Sequence, residues 1–415
     1  MASHTDQELT QRWPLIMATC IGIMSASFVL PYYSIGALVA PVTEEFGWSR
    51  AQFQAAILFS SGLGALTSPI VGWLNDKYGS RRVALPSLIG LGIGLLAASQ
   101  IEGELWMLFL AYGMMAILGA GTIPVTWTRA IATSFFKRRG FALGLALTGT
   151  GICASVAPHY TIWLSDQFGW RGAYIGLALI PIVIAWPTLY FLFKPLETAD
   201  AEEQPTESAS EFASAIQTGL TLGEAIRGYR FWVLLLSILF AYQGFSGMLA
   251  NLVPSLTDDG LSREAAATVQ SVFGISILVG RVLVGYAIDR FWAPGVTAIC
   301  LALPAGGAAL LYGPQSFEIA AFSAFLIGFA AGAELDLMAF LAARYFGLAH
   351  YAKIYSILYA TLAFCSGTAP MVFASVYDNT GSYDLGYVIA TALFLVSVVM
   401  ILFLGRYPKE YEGGH

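Results

Sequence analysis

Charge is what this sequence lacks most. Only 11% of its 415 residues are Asp, Glu, Lys or Arg, against 57% hydrophobic residues and a mean hydropathy of +0.69. A soluble domain of this size would not tolerate such a surface. Cysteine is equally sparse: Cys20, Cys153, Cys300 and Cys365 lie apart in apolar segments without CxxC spacing. A disulfide framework and a zinc site are therefore not indicated, and the four read as small buried hydrophobes. The sequence has no HExxH, no GxSxG and no His/Cys cluster, so neither an enzyme nor a metal or other cofactor is expected. Gly-x-x-x-x-Gly-Lys-[Ser/Thr] is absent too, which argues against direct ATP drive. A net charge of −6 carries no nucleic-acid signal, because the charges sit in short loops and must be judged by side. Asp6 and Glu8 precede an apolar run too long for a signal-peptide core, so no cleavage is expected.

Long apolar runs are what is present. A bilayer crossing needs about 20 predominantly apolar residues. Twelve such segments stand at approximately 14–41, 51–74, 83–100, 105–130, 140–163, 171–193, 231–256, 264–288, 293–313, 317–343, 351–375 and 384–405. The expected fold class is an all-α membrane protein with twelve transmembrane helices. With both termini cytoplasmic, fifteen Lys and Arg fall inside and only Arg50, Arg171 and Arg263 outside, which is the bias that sets membrane orientation. Residues 194–230, rich in Glu, Ser, Ala and Thr, read as a solvated cytoplasmic linker.

The two sides of that linker are repeats. Gly-Trp-Ser-Arg-Ala at 47–51 recurs as Gly-Leu-Ser-Arg-Glu at 260–264, and Gly72 with Asp76 recurs as Gly285 with Asp289. Ala157-Pro158, Asp166 and Gly169 recur as Ala369-Pro370, Asp378 and Gly381. The expected architecture is two six-helix bundles, 1–193 and 231–415, related by an axis along the membrane normal.

The stretch Gly72-Trp-Leu-Asn-Asp76-Lys77-Tyr-Gly79-Ser-Arg81-Arg82 is a polar hinge between two apolar runs. Gly72 is expected to let a neighbouring helix approach and Gly79 to supply the positive φ of a tight turn. Asp76 suits the positive end of a helix from the other half, with Arg81 and Arg82 as countercharge on the cytoplasmic side. The stretch resembles the loop between helices 2 and 3 of the major facilitator superfamily. The second copy keeps Gly285, Asp289 and Arg290 but continues Phe-Trp-Ala-Pro, so that side of the inner gate is expected to be weaker. Ser134-Phe-Phe-Lys137-Arg138-Arg139-Gly140-Phe-Ala-Leu-Gly144 resembles the fifth-helix signature of the monocarboxylate transporters and the related oxalate:formate antiporters.

Ionisable groups at membrane depth are costly and mark function or a partner. Here they are Arg129, Arg281, Glu334 and Asp336. Arg281 lies eight residues before Asp289, about 12 Å inside the membrane on a helix, where a guanidinium can clamp a carboxylate by two parallel hydrogen bonds. The resemblance implies that role, since those families bind the substrate carboxylate with an arginine at this place; a structural ion pair with helix 10 is the other reading. Glu334 and Asp336 are about 200° apart on a helix, so one faces the central cavity and the other a neighbouring helix. Either can pair with Arg281 in the empty state and carry the proton of a symport, or serve as a fixed charge lock. Asp336 is closer in depth. Arg129 either supports an inner gate or snorkels to the cytosol. Tyr33 falls where the oxalate transporter has a cavity tyrosine. The chain departs from the family at Ile277, where an aspartate would stand, and at Tyr359-Ala-Thr-Leu362, which lacks a second cation; a single central cation favours a monoanion.

The resulting expectation is a secondary transporter of a small organic monocarboxylate, coupled to protons, working by alternating access as a monomer in the plasma membrane, the inner membrane of a bacterium. Substrate binding falls to Arg281 and Tyr33, proton coupling to Asp336 and Glu334, and gating to Asp76, Arg81, Arg82, Asp289 and Arg129. The expected partners are an organic anion, protons and membrane lipid. An exchanger or exporter of a larger anionic or amphipathic compound, and a non-transporting sensor on the same fold, are the alternatives.

Overall fold

Glycine and proline decide where these helices stop. The computed structural model describes residues 4–135, 139–195, 219–288, 290–347 and 350–408. In chain order the helices are α1 (His4–Met24), α2 (Leu30–Phe46), α3 (Arg50–Gln54), α4 (Ala56–Tyr78), α5 (Ser80–Ala98), α6 (Leu105–Leu118), α7 (Pro124–Ser134), α8 (Arg139–Leu179) and α9 (Trp186–Leu192). After residue 218 come α10 (Leu222–Arg227), α11 (Tyr229–Asp258), α12 (Arg263–Ile288), α13 (Ala293–Leu310), α14 (Phe317–Phe346), α15 (Tyr351–Thr380) and α16 (Asp384–Leu402). Among the described residues the only β pairing is an isolated bridge between Gly219 and Gly347.

Eight described helices are long and apolar enough to cross a membrane unbroken, nine if the bent pair Arg50–Gly64 and Leu66–Asn75 is one span. The expected segments 14–41 and 105–130 are not continuous helices. Residues 25–29 separate α1 from α2, and a 3-10 turn, Ala120–Thr122, separates α6 from α7. Pro31 and Pro124 sit in the first turns of α2 and α7, where a missing N–H costs nothing. The two breaks satisfy each other. Ser27 N–H donates to Thr122 Oγ1 at 2.9 Å, and buried Trp127 donates Nε1 to the Thr122 carbonyl at 2.7 Å. Irregular backbone at membrane depth is tolerated only when protein partners replace the lost helix bonds in this way. Segments 140–163 and 171–193 join through Gly169, whose φ of 71° and ψ of 172° turn the chain.

The repeats extend to backbone conformation. Gly47 and Gly260 have φ of 67° and 98°, and Gly169 and Gly381 have 71° and 75°, values that L residues with a Cβ rarely adopt. Gly79 has the positive φ, 80°, that its turn requires. In Gly-x-Ser-Arg each residue has a local task. The glycine ends one helix, the serine caps the next, and the arginine begins it. Ser49 forms a reciprocal capping box with Gln52, and Ser262 accepts from Ala265 N–H at 3.2 Å.

Buried side chains sort the helices into two groups. One set of clusters is built from residues 15–193, among them Leu38, Leu91, Tyr112, Trp127 and Phe193. The other is built from 225–404, among them Phe273, Ile327, Leu341 and Phe394. Ala37, Ala154 and Ala250 each join the opposite group's cluster at the seam.

Polar contacts across the seam lie at mid-depth and at the end read as external. The Arg50 guanidinium holds Asp258 through two hydrogen bonds, at 2.5 and 3.0 Å, donates to Tyr383 at 3.1 Å, and stacks 3.8 Å over Tyr377. The first backbone N–H groups of α3, on Arg50 and Ala51, donate to the two Asp378 oxygens at 3.2 and 2.9 Å. The repeat-related Arg263 holds Asp166 at 2.5 Å. Gln54 donates to Asn251 at 2.8 Å, and His159 bridges Thr268 and Ser271 at 3.2 Å each. At the opposite end no hydrogen bond or ion pair joins the two groups among the described residues. The third external arginine, Arg171, pairs with Glu45 at 2.7 Å inside its own group. Trp170 and Arg171 together hold the Glu45 carboxyl below the ordinary carboxylate range.

Asp259, just past α11, carries a pH effect. Partial desolvation, with Asp384 and Asp258 adjacent, pushes its carboxyl up to about 6. A carboxyl raised in the folded state binds its proton more tightly there than when unfolded. Its contribution is thus favourable below its ordinary range, near 4, and is lost as pH rises through about 6. Asp259→Asn is therefore expected to raise the melting temperature slightly at about pH 7.5 and to leave it unchanged at about pH 4. A melting series against pH in detergent reads this, and an effect confined to acid pH would reverse the sign.

Candidate functional site

The site is built where two helices meet backbone to backbone. A Cβ on Gly280 of α12 would lie 1.9 Å from the Phe329 carbonyl oxygen, one on Gly328 2.3 Å from that of Phe273, and one on Gly332 2.1 Å from that of Ile277. Small residues permit such contact between membrane helices. Gly280→Ala is expected to force α12 and α14 apart at a cost of roughly 1–3 kcal/mol, read as a lower melting temperature. Gly285→Ala, with nothing within 4 Å, serves as the control expected to melt like the wild type.

This contact sets Arg281 against α14. Its side chain is 14% exposed and its Nε donates to the Gly332 carbonyl at 3.2 Å. Asp336 Oδ2 lies 3.9 Å from that nitrogen, a loose ion pair and too long for a hydrogen bond. The Asp336 side chain is 46% exposed. Arg281 Nη1 is buried and has no hydrogen-bond partner. A guanidinium presents five donors in a planar fork, so most of this cation's capacity is unused at a depth where unpaired charge is expensive.

Tyr33 approaches from α2, half-buried at the seam and within electrostatic range of both Arg281 and Glu334. Its neighbour Tyr32 bonds Ser246 across the seam at 2.6 Å. Among the described residues Glu334 forms no ion pair with Arg281, which faces Asp336 instead. Glu334 lies within electrostatic range of Tyr242 and borders a cavity of about 50 Å³ lined chiefly by apolar side chains such as Phe245, Leu337 and Phe394. The two carboxylates of α14 thus serve different surroundings, as their separation of two residues requires.

Of the residues read as gating, Arg81 donates to the Tyr190 carbonyl within its own group, Arg82 is exposed, and Arg129 is half-buried on α7. Asp289 and the Asp76 side chain lie outside the described residues. The close helix approach expected at Gly72 is not made by any described residue: among these, nothing lies within 4 Å of its Cβ position, nor of that on its repeat mate Gly285. Both glycines sit at the end where no hydrogen bond or ion pair joins the two groups among the described residues.

Sequence reasoning missed Tyr242, which no motif marks. It also missed that each external repeat arginine is matched by an acid of the opposite group. The signal was present: the side read as external has three arginines and a surplus of acids, and all three arginines are ion-paired.

Comparison with known proteins bears on this arrangement. Over 402 residues the chain is 28% identical to Monocarboxylate transporter 13 of Rattus norvegicus, covering 91% of this chain and 88% of the relative. It is 24% identical over 381 residues to Monocarboxylate transporter 12 of the same species, covering 86% and 76%. Its fold resembles the solved structure of a bacterial homologue of the human drug peptide transporters PepT1 and PepT2, with a TM-score of 0.66 at 16% identity, covering 95% and 97% of the two chains. The Major Facilitator Superfamily profile matches residues 15–291 and 234–414. Two repeat-related helix groups and a match across nearly the whole sequence lead to one assignment: this multi-pass, non-enzymatic membrane protein belongs to the Major Facilitator Superfamily.

Proposed function

We propose that the chain is a proton-coupled secondary transporter of a small organic monocarboxylate. It works by rocking two six-helix bundles, 1–193 and 231–415, joined by the linker 194–230, about a central site. In this reading the chain makes twelve crossings with both termini in the cytosol and acts as a monomer in the plasma membrane, the inner one of a bacterium. The observation that carries the reading is Arg281, a mid-membrane cation with a buried free Nη1 and a carboxylate held only loosely at 3.9 Å. The names of the monocarboxylate transporters it resembles point to the same substrate class.

The geometry supports an exchange of partners. In the empty carrier Asp336 balances Arg281. A substrate carboxylate docks on the free edge of the guanidinium, oriented by Tyr33, and displaces Asp336, which then takes a proton. Neutral loading lets the bundles rock without moving a buried net charge. Release of substrate returns Asp336 to the arginine and frees the proton.

The test is uptake of a panel of labelled monocarboxylates into proteoliposomes, with and without an inward proton gradient. Wild type is expected to accumulate at least one of them when the gradient is applied. Asp336→Asn is expected to keep substrate exchange and lose the response to the gradient. A gradient response intact in Asp336→Asn but lost in Glu334→Gln would move the proton to the Tyr242 side of α14.

A further inference from the structure

At the linker end of the second helix group, far along α11 from the seam contacts, four segments enclose a second basic site. Leu220 N–H donates to the Phe346 carbonyl at 2.8 Å and pins the start of α10 to the end of α14. The Tyr345 hydroxyl donates to the Gly405 carbonyl at 2.5 Å, and Ala293 N–H donates to the Tyr407 hydroxyl at 3.0 Å, which ties in the segment after α16. Between them lies a cavity of about 200 Å³, with Tyr229, Arg230, Tyr345 and Pro408 in its wall.

Arg230 is unbalanced there. Its Nη2 donates to the Arg406 carbonyl at 3.3 Å, but its Nε is buried without a partner. The guanidinium stands 5.5 Å over the Tyr345 ring and 5.7 Å over Tyr229, an arrangement that fixes its orientation without neutralising it. Arg344 stacks 5.4 Å over Tyr407 beside it, and Arg406, whose carbonyl accepts the Arg230 bond, is exposed. Among the described residues no carboxylate forms an ion pair with any of these three arginines. A buried donor left unpaired on a cation forfeits its solvation unless an anion arrives. The planar donor edge of arginine, with tyrosine hydroxyls nearby, matches the oxygens of a phosphate.

We propose that this pocket binds a phosphate-bearing anion, and that its source is the headgroup of an anionic phospholipid. The surroundings favour a lipid. Exposed Tyr229, Trp232, Trp292 and Phe403 ring this end of the group, as aromatic side chains do at the membrane–water boundary, and arginine pockets between helices at that level suit acidic headgroups. The proposal needs only the protein's place in a membrane and is independent of what Arg281 carries.

Full-length protein reconstituted in phosphatidylcholine alone, or in an equimolar mixture with phosphatidylglycerol, is melted alongside detergent-solubilised protein titrated with inorganic phosphate. Phosphatidylglycerol is expected to raise the wild-type melting temperature, with binding roughly tenfold weaker in Arg230→Gln and measurably weaker in Arg406→Gln, an exposed change that leaves packing untouched. Saturable stabilisation by phosphate in detergent, lost in the same variants, would support the pocket with a soluble anion as its ligand. Equal responses of wild type, Arg230→Gln and Arg406→Gln to both probes would overturn it.

Discussion

Replacing Arg281 with lysine is expected to lower carboxylate uptake by roughly 100-fold while leaving the protein folded. The charge is retained, so the loss isolates geometry. Arginine uses Nε on the Gly332 carbonyl, at 3.2 Å, and still has Nη1 unpartnered; lysine presents one ammonium that cannot hold that carbonyl and grip a carboxylate along two parallel bonds. Charge-assisted hydrogen bonds contribute about 1.5–3 kcal/mol each, and in a site screened from water the loss of one falls at the upper end. About 2.7 kcal/mol corresponds to 100-fold. Initial rates of labelled uptake in proteoliposomes read the effect, with melting temperature as the control for folding. Unchanged uptake in Arg281→Lys would make the arginine a structural lock between α12 and α14, and the carboxylate assignment would be abandoned.

How far the sequence led depends on where the information lies. Repeat pairs such as Gly47 with Gly260 and Gly169 with Gly381 announce backbone turns, because only glycine adopts their φ freely. The opposition of Glu334 and Asp336 on α14 follows from helical geometry alone. The breaks at 25–29 and 119–123 were not legible, because each flanking half-helix keeps its apolar content. What stabilises the breaks is a tertiary bond, Ser27 to Thr122, between residues 95 apart. The looseness of the Arg281–Asp336 pair and the absence of a Glu334–Arg281 pair among the described residues depend on how closely α12 and α14 approach. Three glycines permit that approach, but their spacing does not state it. Gly72 is legible as a contact point and lacks the contact among the described residues.

The external latch is expected to respond unequally to loss of its two repeat-related arginines. Arg50 is 16% exposed and works on two carboxylates at once: its guanidinium grips Asp258, and its own N–H and that of Ala51 hold Asp378 at the start of α3. Arg263 is 32% exposed, grips Asp166 alone and adds one longer bond to the Ala37 carbonyl at 3.3 Å. A half-exposed pair contributes only about 0–1 kcal/mol, whereas a shielded, forked and ring-stacked one contributes about 1.5–3 kcal/mol. Opening this side must break both latches. Arg50→Ala should therefore shift the equilibrium toward the form open at this end by roughly 10–100-fold, and Arg263→Ala by less than about tenfold. Asp378→Asn should fall between them, because the amide oxygen still accepts one backbone N–H but the charge facing the helix end is gone. Spin labels on Glu102→Cys and Tyr312→Cys, one on each helix group at this end, report the populations as a long-distance component that grows in the order Arg263→Ala, Asp378→Asn, Arg50→Ala. Equal populations in Arg50→Ala and Arg263→Ala would mean that the seam is held by the apolar contacts of Ala37, Ala154 and Ala250, and that the arginines only decorate it.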